Sequence, residues 1–367
     1  MRILLAPDKF RGSFTAREVC EYLARGLREA DPSSIVDFLP LADGGEGTLD
    51  LILAARKGTR VAIEVRGPLG DPVGAEYGVL EDGTAVLEAS RFCGLSLIEP
   101  ERRDPMRSSS YGLGEGIAAA LDSGCGPLVL GLGGTATIDG GVGMAKALGF
   151  RFEAGRAGSG PAGVSRIDPS VIHPKVRESR FKALCDVDHV LLGPSGAARV
   201  FGPQKGAGPE DVQRLEAGLI DLRDAIVRWK GPAAAGLAER PGAGSAGGLG
   251  MGAAAFLDAA LLPGAEAVME IVGFSRYLDA CDLVVTGEGS LDEQTSAGGK
   301  VVARVLREAG RRGVAGVVVA GRWDGTLPAE RPPSAKVLTG RDLAGRPEVL
   351  EAGDLVALGR LIAGLAQ

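Results

Sequence analysis

The feature that most constrains the fold is a repeated order of short apolar segment, polar loop and amphipathic helix. Residues 3–6 are apolar, and after a loop at 7–13 the apolar side chains of residues 16–29 recur at helical spacing. The order repeats with the strand-like residues 35–38 and the loop at 41–48, which leads into another helical pattern. Such units build a parallel sheet, and ligands bind at the carboxyl ends of its strands.

The last third of the chain repeats this order. Residues 283–286 and 314–320 are strand-like, residues 298–309 have helical spacing, and an amphipathic helix is predicted at 347–365. Residues 59–97 differ, because apolar and polar side chains alternate there between turn signals, as in antiparallel hairpins. The change of pattern indicates a second domain.

We predict a discontinuous, Rossmann-like parallel α/β domain at residues 1–58 and 255–367, and an inserted, mixed α/β domain at 59–254. A length of 367 residues agrees with two domains. Within the insertion the pattern predicts helices at 111–121, 142–148 and 209–229, and strands at 127–132 and 181–187. Two glycine-rich stretches, 155–174 and 241–252, are predicted to be a loop and a connector.

Composition argues against several classes of protein. The 41 basic and 47 acidic residues leave a net charge of −6 without a basic run, which does not suit a nucleic-acid binder. Five scattered cysteines without CxxC spacing indicate reduced thiols rather than a disulfide framework or a zinc site. The apolar run at the N-terminus is too short for a signal peptide, and none approaches a membrane span. We expect a cytoplasmic protein with no membrane or nucleic-acid partner.

The first polar loop places Asp8, Lys9, Arg11 and Ser13 between a strand and a helix. Two basic side chains and a hydroxyl at a strand end suit an anion. A helix cap with surface charge explains the same residues equally well.

Acidic residues follow two other strands. The second loop holds Asp43 among glycines, and the fifth holds Glu288 and Asp292. Carboxylates in such loops suit a metal ion that bridges to phosphate, as Mg²⁺ does in phosphoryl transfer. Turns into helices capped by acidic residues are the alternative.

The third loop, at 131–141, is the strongest glycine loop, because it follows a strand and opens a helix. Its backbone amides could hold phosphate, and its candidate ligands are Gly133, Gly134, Thr135 and Asp139. It also satisfies the pattern G-x-G-x-x-A, with Glu153 as a candidate ribose ligand, so an NAD(P)-dependent oxidoreductase is the rival interpretation. No Walker A motif is present, and the nearest candidate, Lys300 after two glycines, lacks the first glycine of the motif and the hydroxyl after the lysine.

The fourth region runs from residue 185 to 206. Asp186 and Asp188 follow a strand, where a carboxylate can bind a metal or accept a proton, and Lys205 in a glycine-rich turn could reach a phosphate. Two solvated loops are the alternative. The two histidines, His173 and His189, lack zinc spacing and are predicted to be structural.

Taken together, the loops resemble the signature motifs of bacterial type I glycerate kinases. The motifs, in chain order, are APDKFRGS at 6–13, PLADGGEGT at 40–48, RSSSYGLGEGI at 107–117, GLGGTATIDGGVGMAKALG at 131–149, CDVDHVLLGPSGAARVFGPQKGA at 185–207, PGAGSAGGLG at 241–250 and TGEGSLDEQTSAGGK at 286–300. The resemblance covers nearly the whole chain. It implies ATP and Mg²⁺ as cofactors, two α/β domains with the active site in the cleft between them, and 2-phosphoglycerate, rather than 3-phosphoglycerate, as the product.

The resemblance allows roles to be assigned by residue type. Lys9 and Arg11, with Asp8 and Ser13, are expected to bind D-glycerate, and the 131–141 loop, with Lys300, to bind ATP. The remaining assignments are Mg²⁺ to Asp43, Glu288 and Asp292, the transferred phosphate to Lys205, and the role of general base to Asp186. Three positions depart from the family pattern, and they are Ile138, His189 with Val190, and the segment before Lys300, which lacks a histidine.

The sequence therefore predicts a D-glycerate kinase that acts as a monomer or homodimer. A non-enzymatic sensor of sugar acids or nucleotides is a third interpretation. It is disfavoured because five polar loops at strand ends exceed what simple binding requires.

Overall fold

The computed structural model describes residues 1–10, 12–156, 158–185, 189–291, 300–327, 331–343 and 350–365. The chain divides into two compact units, of which unit 1 comprises Met1–Asp43 with Ala265–Gln367 and unit 2 comprises Gly44–Gly264. The sequence pattern predicted the division after residues 58 and 254. The first helix after residue 43 belongs to unit 2 because its Leu49 and Leu53 fill the space left by Gly78 of a unit 2 strand.

The strands in chain order are β1 (Arg2–Leu5), β2 (Ile35–Phe38), β3 (Gly58–Arg66), β4 (Pro72–Leu80), β5 (Ala85–Glu88), β6 (Leu128–Gly131), β7 (Arg151–Ala154), β8 (Val164–Asp168), β9 (Phe181–Cys185), β10 (Ala260–Pro263), β11 (Leu283–Leu291), β12 (Ala315–Trp323) and β13 (Lys336–Thr339). The helices are α1 (Ala16–Ala30), α2 (Thr48–Ala55), α3 (Ser90–Cys93), α4 (Tyr111–Asp122), α5 (Val142–Ala147), α6 (Ala197–Phe201), α7 (Pro209–Lys230), α8 (Ser245–Phe256), α9 (Gly264–Ile271), α10 (Phe274–Leu278), α11 (Val301–Arg312) and α12 (Ala352–Leu365).

Unit 1 is a doubly wound parallel α/β unit. Its sheet has the order β13-β12-β11-β1-β2, and every neighbouring pair is parallel. Helices α1 and α12 pack with Ile3 and Leu5 on one face, and α11 packs with Val318 and Ala320 on the other. Because the chain continues in opposite directions from β1 and β11, the two neighbouring strands form the topological switch point where such sheets bind ligands.

Helix α1 begins where the first polar loop ends, because Thr15 and Glu18 form a capping box. The Thr15 hydroxyl accepts a hydrogen bond from the Glu18 amide at 3.2 Å, and the Glu18 carboxylate accepts one from the Thr15 amide at 2.8 Å. Further along, α1 packs closely on α12, since a Cβ at Gly26 would lie 1.9 Å from the Val356 carbonyl oxygen. Only glycine permits that approach.

Unit 2 contains a mixed six-stranded sheet of order β10-β9-β6-β5-β4-β3. Strands β10, β9, β6 and β5 are parallel, whereas β5, β4 and β3 are antiparallel, as the alternating pattern at 59–97 predicts. Strands β7 and β8 form a separate antiparallel pair. The predicted class of two α/β domains, one parallel and one mixed, is therefore confirmed.

Two predictions of irregular structure are wrong. Strand β8 lies within the stretch predicted to be loop, and α8 begins inside the predicted connector at 241–252. In α8 the residues Ala246, Gly247 and Gly248 have left-handed φ values of 55°, 71° and 86°, which the two glycines adopt readily because they lack a Cβ. The glycines thus shape a kinked helix instead of a connector.

The predictions for cysteines agree with the structure. All five cysteines are buried, and none of them, each within the described residues, forms a disulfide. Among the residues that the structure describes, no helix is long and apolar enough to cross a membrane.

Candidate functional site

The first group of predicted site residues lies at the switch point of unit 1. After β1 the chain stays hydrogen-bonded to β11, with the Ala6 amide 2.7 Å from the Val285 carbonyl oxygen and the Asp8 amide 2.8 Å from that of Gly287. These bonds hold Asp8 beside the end of β11. The group comprises Asp8, Lys9, Asp43, Glu288 and Lys300.

Electrostatics couple the members of this group. Asp8 is 9% exposed, and its carboxylate accepts a hydrogen bond from the Lys9 amide at 2.7 Å. Burial raises the pKa of Asp8 well above its usual value, and the negative charges of Asp43 and Glu288 add to the rise, while Lys9 opposes it. Lys300 supplies a further cation, with its Nζ 3.7 Å from Glu288 Oε2. The group therefore brings three carboxyl groups together with two lysines, and the raised pKa of Asp8 reflects its burial and the carboxylates beside it.

The oxygen donors of this group suit Mg²⁺ only in part. Hard carboxylate oxygens are the ligands that Mg²⁺ prefers. Among the described residues, however, no group of three or more His, Cys, Asp or Glu side chains is arranged to hold a metal ion. Mg²⁺ that arrives with a nucleotide needs only one or two protein carboxylates, because phosphate oxygens and water complete its shell. Asp43 and Glu288 could supply the one or two carboxylates that a nucleotide-bound Mg²⁺ needs.

The second group lies in unit 2 around the 131–141 loop. Positive φ values at Gly134 and Gly141, 75° and 79°, shape its turns. A Cβ at Gly131 would lie 2.6 Å from the Gly44 carbonyl oxygen, and one at Gly133 would lie 2.5 Å from the Gly45 Cα. Two glycine loops that the sequence presents separately therefore pack backbone to backbone.

Lys205 is hydrogen-bonded to the middle of the 131–141 loop. Its ammonium donates to the Thr137 carbonyl oxygen at 2.8 Å and to the Thr135 hydroxyl at 3.2 Å. The residue is 3% exposed, and burial lowers the pKa of Lys205 to about 8, although the neighbouring Cys93 and Asp139 oppose that shift. The ammonium group of Lys205 therefore interacts directly with the backbone and a side chain of the loop.

Asp139 holds the C-terminal end of the loop. One carboxylate oxygen accepts hydrogen bonds from the amide and hydroxyl of Ser110 at 2.8 Å each and from the Gly143 amide at 3.0 Å. The other accepts one from the Gly141 amide at 3.0 Å, and the residue is 1% exposed. The carboxylate is therefore occupied by the protein, which favours a role in shaping the loop over direct contact with a cofactor.

Glu88 is a residue of this group that the sequence analysis missed. It ends β5, is 1% exposed, and caps α2 by accepting hydrogen bonds from the amides of Gly47 and Leu49 at 3.0 and 3.1 Å. The Ser90 hydroxyl donates to it at 2.8 Å. In the sequence, Glu88 is only a single acidic residue at the end of an apolar strand. That pattern does not reveal that its side chain faces the loop before α2.

The dinucleotide interpretation lacks its ribose ligand. In that motif the acid ends the next parallel strand. Glu153 instead lies in the antiparallel β7-β8 pair and forms an ion pair with Arg166 at 3.1 Å. The glycine pattern at 131–136 is thus present without the structural context that gives it meaning.

Some predicted residues remain outside these groups. Arg11, Asp186, Asp188 and Asp292 lie outside the described residues. Ser13 is described and exposed, and its amide donates to the Phe10 carbonyl oxygen at 2.8 Å in a tight turn.

Comparison with known proteins gives consistent matches. The sequence matches the model of the glycerate kinase family over residues 3–338. It is 41% identical to the glycerate kinase of Halalkalibacterium halodurans over 326 residues, 87% of this chain and 85% of that protein. It is 39% identical to the glycerate 2-kinase of Escherichia coli over 305 residues, 81% of this chain and 79% of that protein. A crystal structure of a protein designated glycerate kinase 2 from Salmonella typhimurium LT2 matches with a TM-score of 0.83 and 34% identity, covering 100% of this chain and 98% of that one.

Proposed function

The chain belongs to the glycerate kinase family, and we propose that it transfers the γ-phosphate of ATP to a hydroxyl of D-glycerate, giving 2-phosphoglycerate. The observation that carries the proposal is the 41% identity to a glycerate kinase over 87% of the chain. The choice of the 2-position rests on the 39% identity to a glycerate 2-kinase. We also propose that the protein is cytoplasmic and acts as a monomer or homodimer.

In unit 2 the 131–141 loop would bind the phosphates of ATP through its backbone, at Gly133, Gly134 and Thr135. Phosphoryl transfer depends mainly on positioning and on neutralising charge, so a loop fixed by side-chain hydrogen bonds is suited to it. Lys205 holds the middle of the loop, and Asp139 holds its C-terminal end. Lys205 also places a positive charge against the loop. This charge would stabilise the negative charge of the transferred phosphate.

In unit 1, Lys9 and Arg11 would bind the carboxylate of D-glycerate, with Asp8 and Ser13 available to its hydroxyls. Asp43 and Glu288 would hold Mg²⁺, together with Asp292. When bound, the ion neutralises the charge on the β- and γ-phosphates. Lys300, close to Glu288, would contribute to binding ATP.

The glycerate hydroxyl loses a proton during transfer, and a carboxylate at a strand end is a suitable acceptor. We propose Asp186 as this base because it directly follows β9, one of the parallel strands whose carboxyl ends also carry Glu88 and Gly131. Asp188 is its competitor, since alternate residues of an extended chain face the same side.

The experiment that tests the function is a spectrophotometric assay of ADP release with and without D-glycerate, run beside an assay of NAD(P)⁺ reduction. We expect ADP release that depends on D-glycerate and no reduction of NAD(P)⁺. Reduction of NAD(P)⁺ that depends on D-glycerate would instead establish the oxidoreductase interpretation. ATP binding without turnover of any hydroxy acid would indicate a sensor.

A further inference from the structure

Arg103 in unit 2 carries a positive charge that no described residue neutralises. It follows a 3-10 turn at Pro100–Arg102, and its Nε is buried without a hydrogen-bond partner. Within the part of the chain that the structure describes, its guanidinium makes no ion pair, whereas the neighbouring Arg102 pairs with Asp71 at 3.3 Å and is 65% exposed. Partial burial of an unpaired guanidinium is unfavourable, and an anionic ligand would relieve it.

The backbone of Arg103 packs against the turn that carries Lys205. A Cβ at Gly206 would lie 2.6 Å from the Arg103 carbonyl oxygen and 3.1 Å from the Arg103 Cβ. Gly206 also has a φ of 100°, so glycine is required there for two reasons. The close approach fixes Arg103 beside the residue whose ammonium anchors the 131–141 loop.

The segment after Arg103 is also fixed in place. The Asp104 carbonyl oxygen accepts hydrogen bonds from the Ser108 amide at 3.0 Å and hydroxyl at 2.8 Å. Two residues later Ser110 binds Asp139 at the end of the 131–141 loop. Arg103 is thus linked to that loop by two sets of contacts. One runs through Gly206 and the adjacent Lys205, and the other runs through Ser110.

We propose that Arg103 binds an oxyanion of a reactant, either a phosphate of the nucleotide or the carboxylate of the acid. The proposal rests on the function proposed above and names a residue that the resemblance did not supply. Lys205 is a weaker candidate for direct contact, because its ammonium is buried and already donates to Thr135 and Thr137. The planar fork of a guanidinium suits two oxygens of one phosphate or carboxylate.

The test compares Arg103→Met, Arg103→Lys and the neighbouring Arg102→Met as a matched control. Binding of ATP, ADP and D-glycerate is measured separately by calorimetry, and thermal unfolding is measured without ligand. Arg103→Met should weaken at least one ligand by about tenfold or more, Arg103→Lys by less, and Arg102→Met by none. The ligand that is weakened identifies the oxyanion. Without ligand, Arg103→Met should melt at or above the native temperature, because an unpaired charge is removed while the aliphatic stem is kept.

The proposal is overturned if Arg103→Met binds all three ligands as the native protein does, or if the native protein binds none of them. It is also overturned if Arg103→Met melts well below the native protein and Arg103→Lys restores full affinity, because that result indicates packing. Failure of the proposed function is recognised separately, as native protein that binds these ligands without forming a phosphorylated acid.

Discussion

Replacement of Lys205 by Met removes a buried charge and keeps most of the side-chain volume. The ammonium that is lost donates to the Thr137 carbonyl oxygen at 2.8 Å and to the Thr135 hydroxyl at 3.2 Å. If this charge stabilises the phosphoryl group during transfer, kcat should fall by about tenfold or more. The matched control is Lys175→Met, which removes a hydrogen-bonded lysine in the same unit whose Nζ lies 2.7 Å from the Leu121 carbonyl oxygen.

The pH dependence sharpens this prediction. With a pKa of about 8, Lys205 is roughly nine-tenths protonated at pH 7 and roughly one-tenth at pH 9. The native kcat should therefore fall severalfold as pH rises through about 8, and Lys205→Met should lack that fall. Burial raises the pKa of the neighbouring Cys93 thiol, so Cys93 stays protonated in this range. A native kcat that is constant from pH 7 to 9, or a Lys205→Met enzyme as active as Lys175→Met, would refute the reasoning.

The pH dependence of the free energy of unfolding gives an independent check on the lowered pKa of Lys205. The folded-state pKa of Lys205 lies below the unfolded value of 10.5, so between pH 8 and 10.5 the unfolded chain binds the extra proton. The contribution of Lys205 to the free energy of unfolding should rise across that window, by up to about 3 kcal/mol. Urea unfolding of native protein and Lys205→Met at pH 7 and pH 10 measures the change. An equal difference between the two proteins at both pH values would contradict a depressed pKa.

Three further predictions concern the metal, the base and the loop. EDTA should abolish turnover and Mg²⁺ should restore it, as steady-state assays would show, because the β- and γ-phosphate charge requires a divalent ion. Asp186→Asn should lower kcat by roughly 10² to 10⁴ with ATP affinity little changed, and an equal loss in Asp188→Asn alone would transfer the role of base to that residue. Asp139→Asn should lower the free energy of unfolding by about 2–4 kcal/mol, because an NH₂ group replaces one of two buried carboxylate oxygens that both accept hydrogen bonds, whereas Asp168→Asn, at the half-buried end of β8, should change it by about 1 kcal/mol or less.

The elements that periodicity predicts are those with a strong apolar face. Helix α7 was predicted at 209–229 and is observed at Pro209–Lys230, since its apolar side chains recur at helical spacing over six turns. Helix α8 was missed because four of its first eight residues are glycines, which have no side chain to show a period. Its glycines instead allow close packing, since a Cβ at Gly252 would lie 2.3 Å from the Gly140 carbonyl oxygen.

The sequence was sufficient to identify the loops of the site but not to predict which of their residues lie close together. Residue type and position after strands were sufficient to select Asp8, Glu288 and Lys205. The order of strands, which places β1 beside β11 and so joins Asp8 to Glu288, arises from long-range pairing that local patterns do not encode. Burial is equally non-local, so the sequence did not show that Glu88 caps a helix or that Lys205 is enclosed.

The measurement that tests the central claim most directly is phosphorus NMR of the product formed from D-glycerate, ATP and Mg²⁺. The account predicts that the β- and γ-phosphorus resonances of ATP convert to those of ADP while a phosphomonoester resonance appears, and that its coupling to the proton on carbon 2 identifies 2-phosphoglycerate. A phosphomonoester coupled to the protons on carbon 3 would contradict the position of transfer. Recovery of D-glycerate unchanged, with no phosphomonoester beyond inorganic phosphate, would contradict the proposed kinase activity itself.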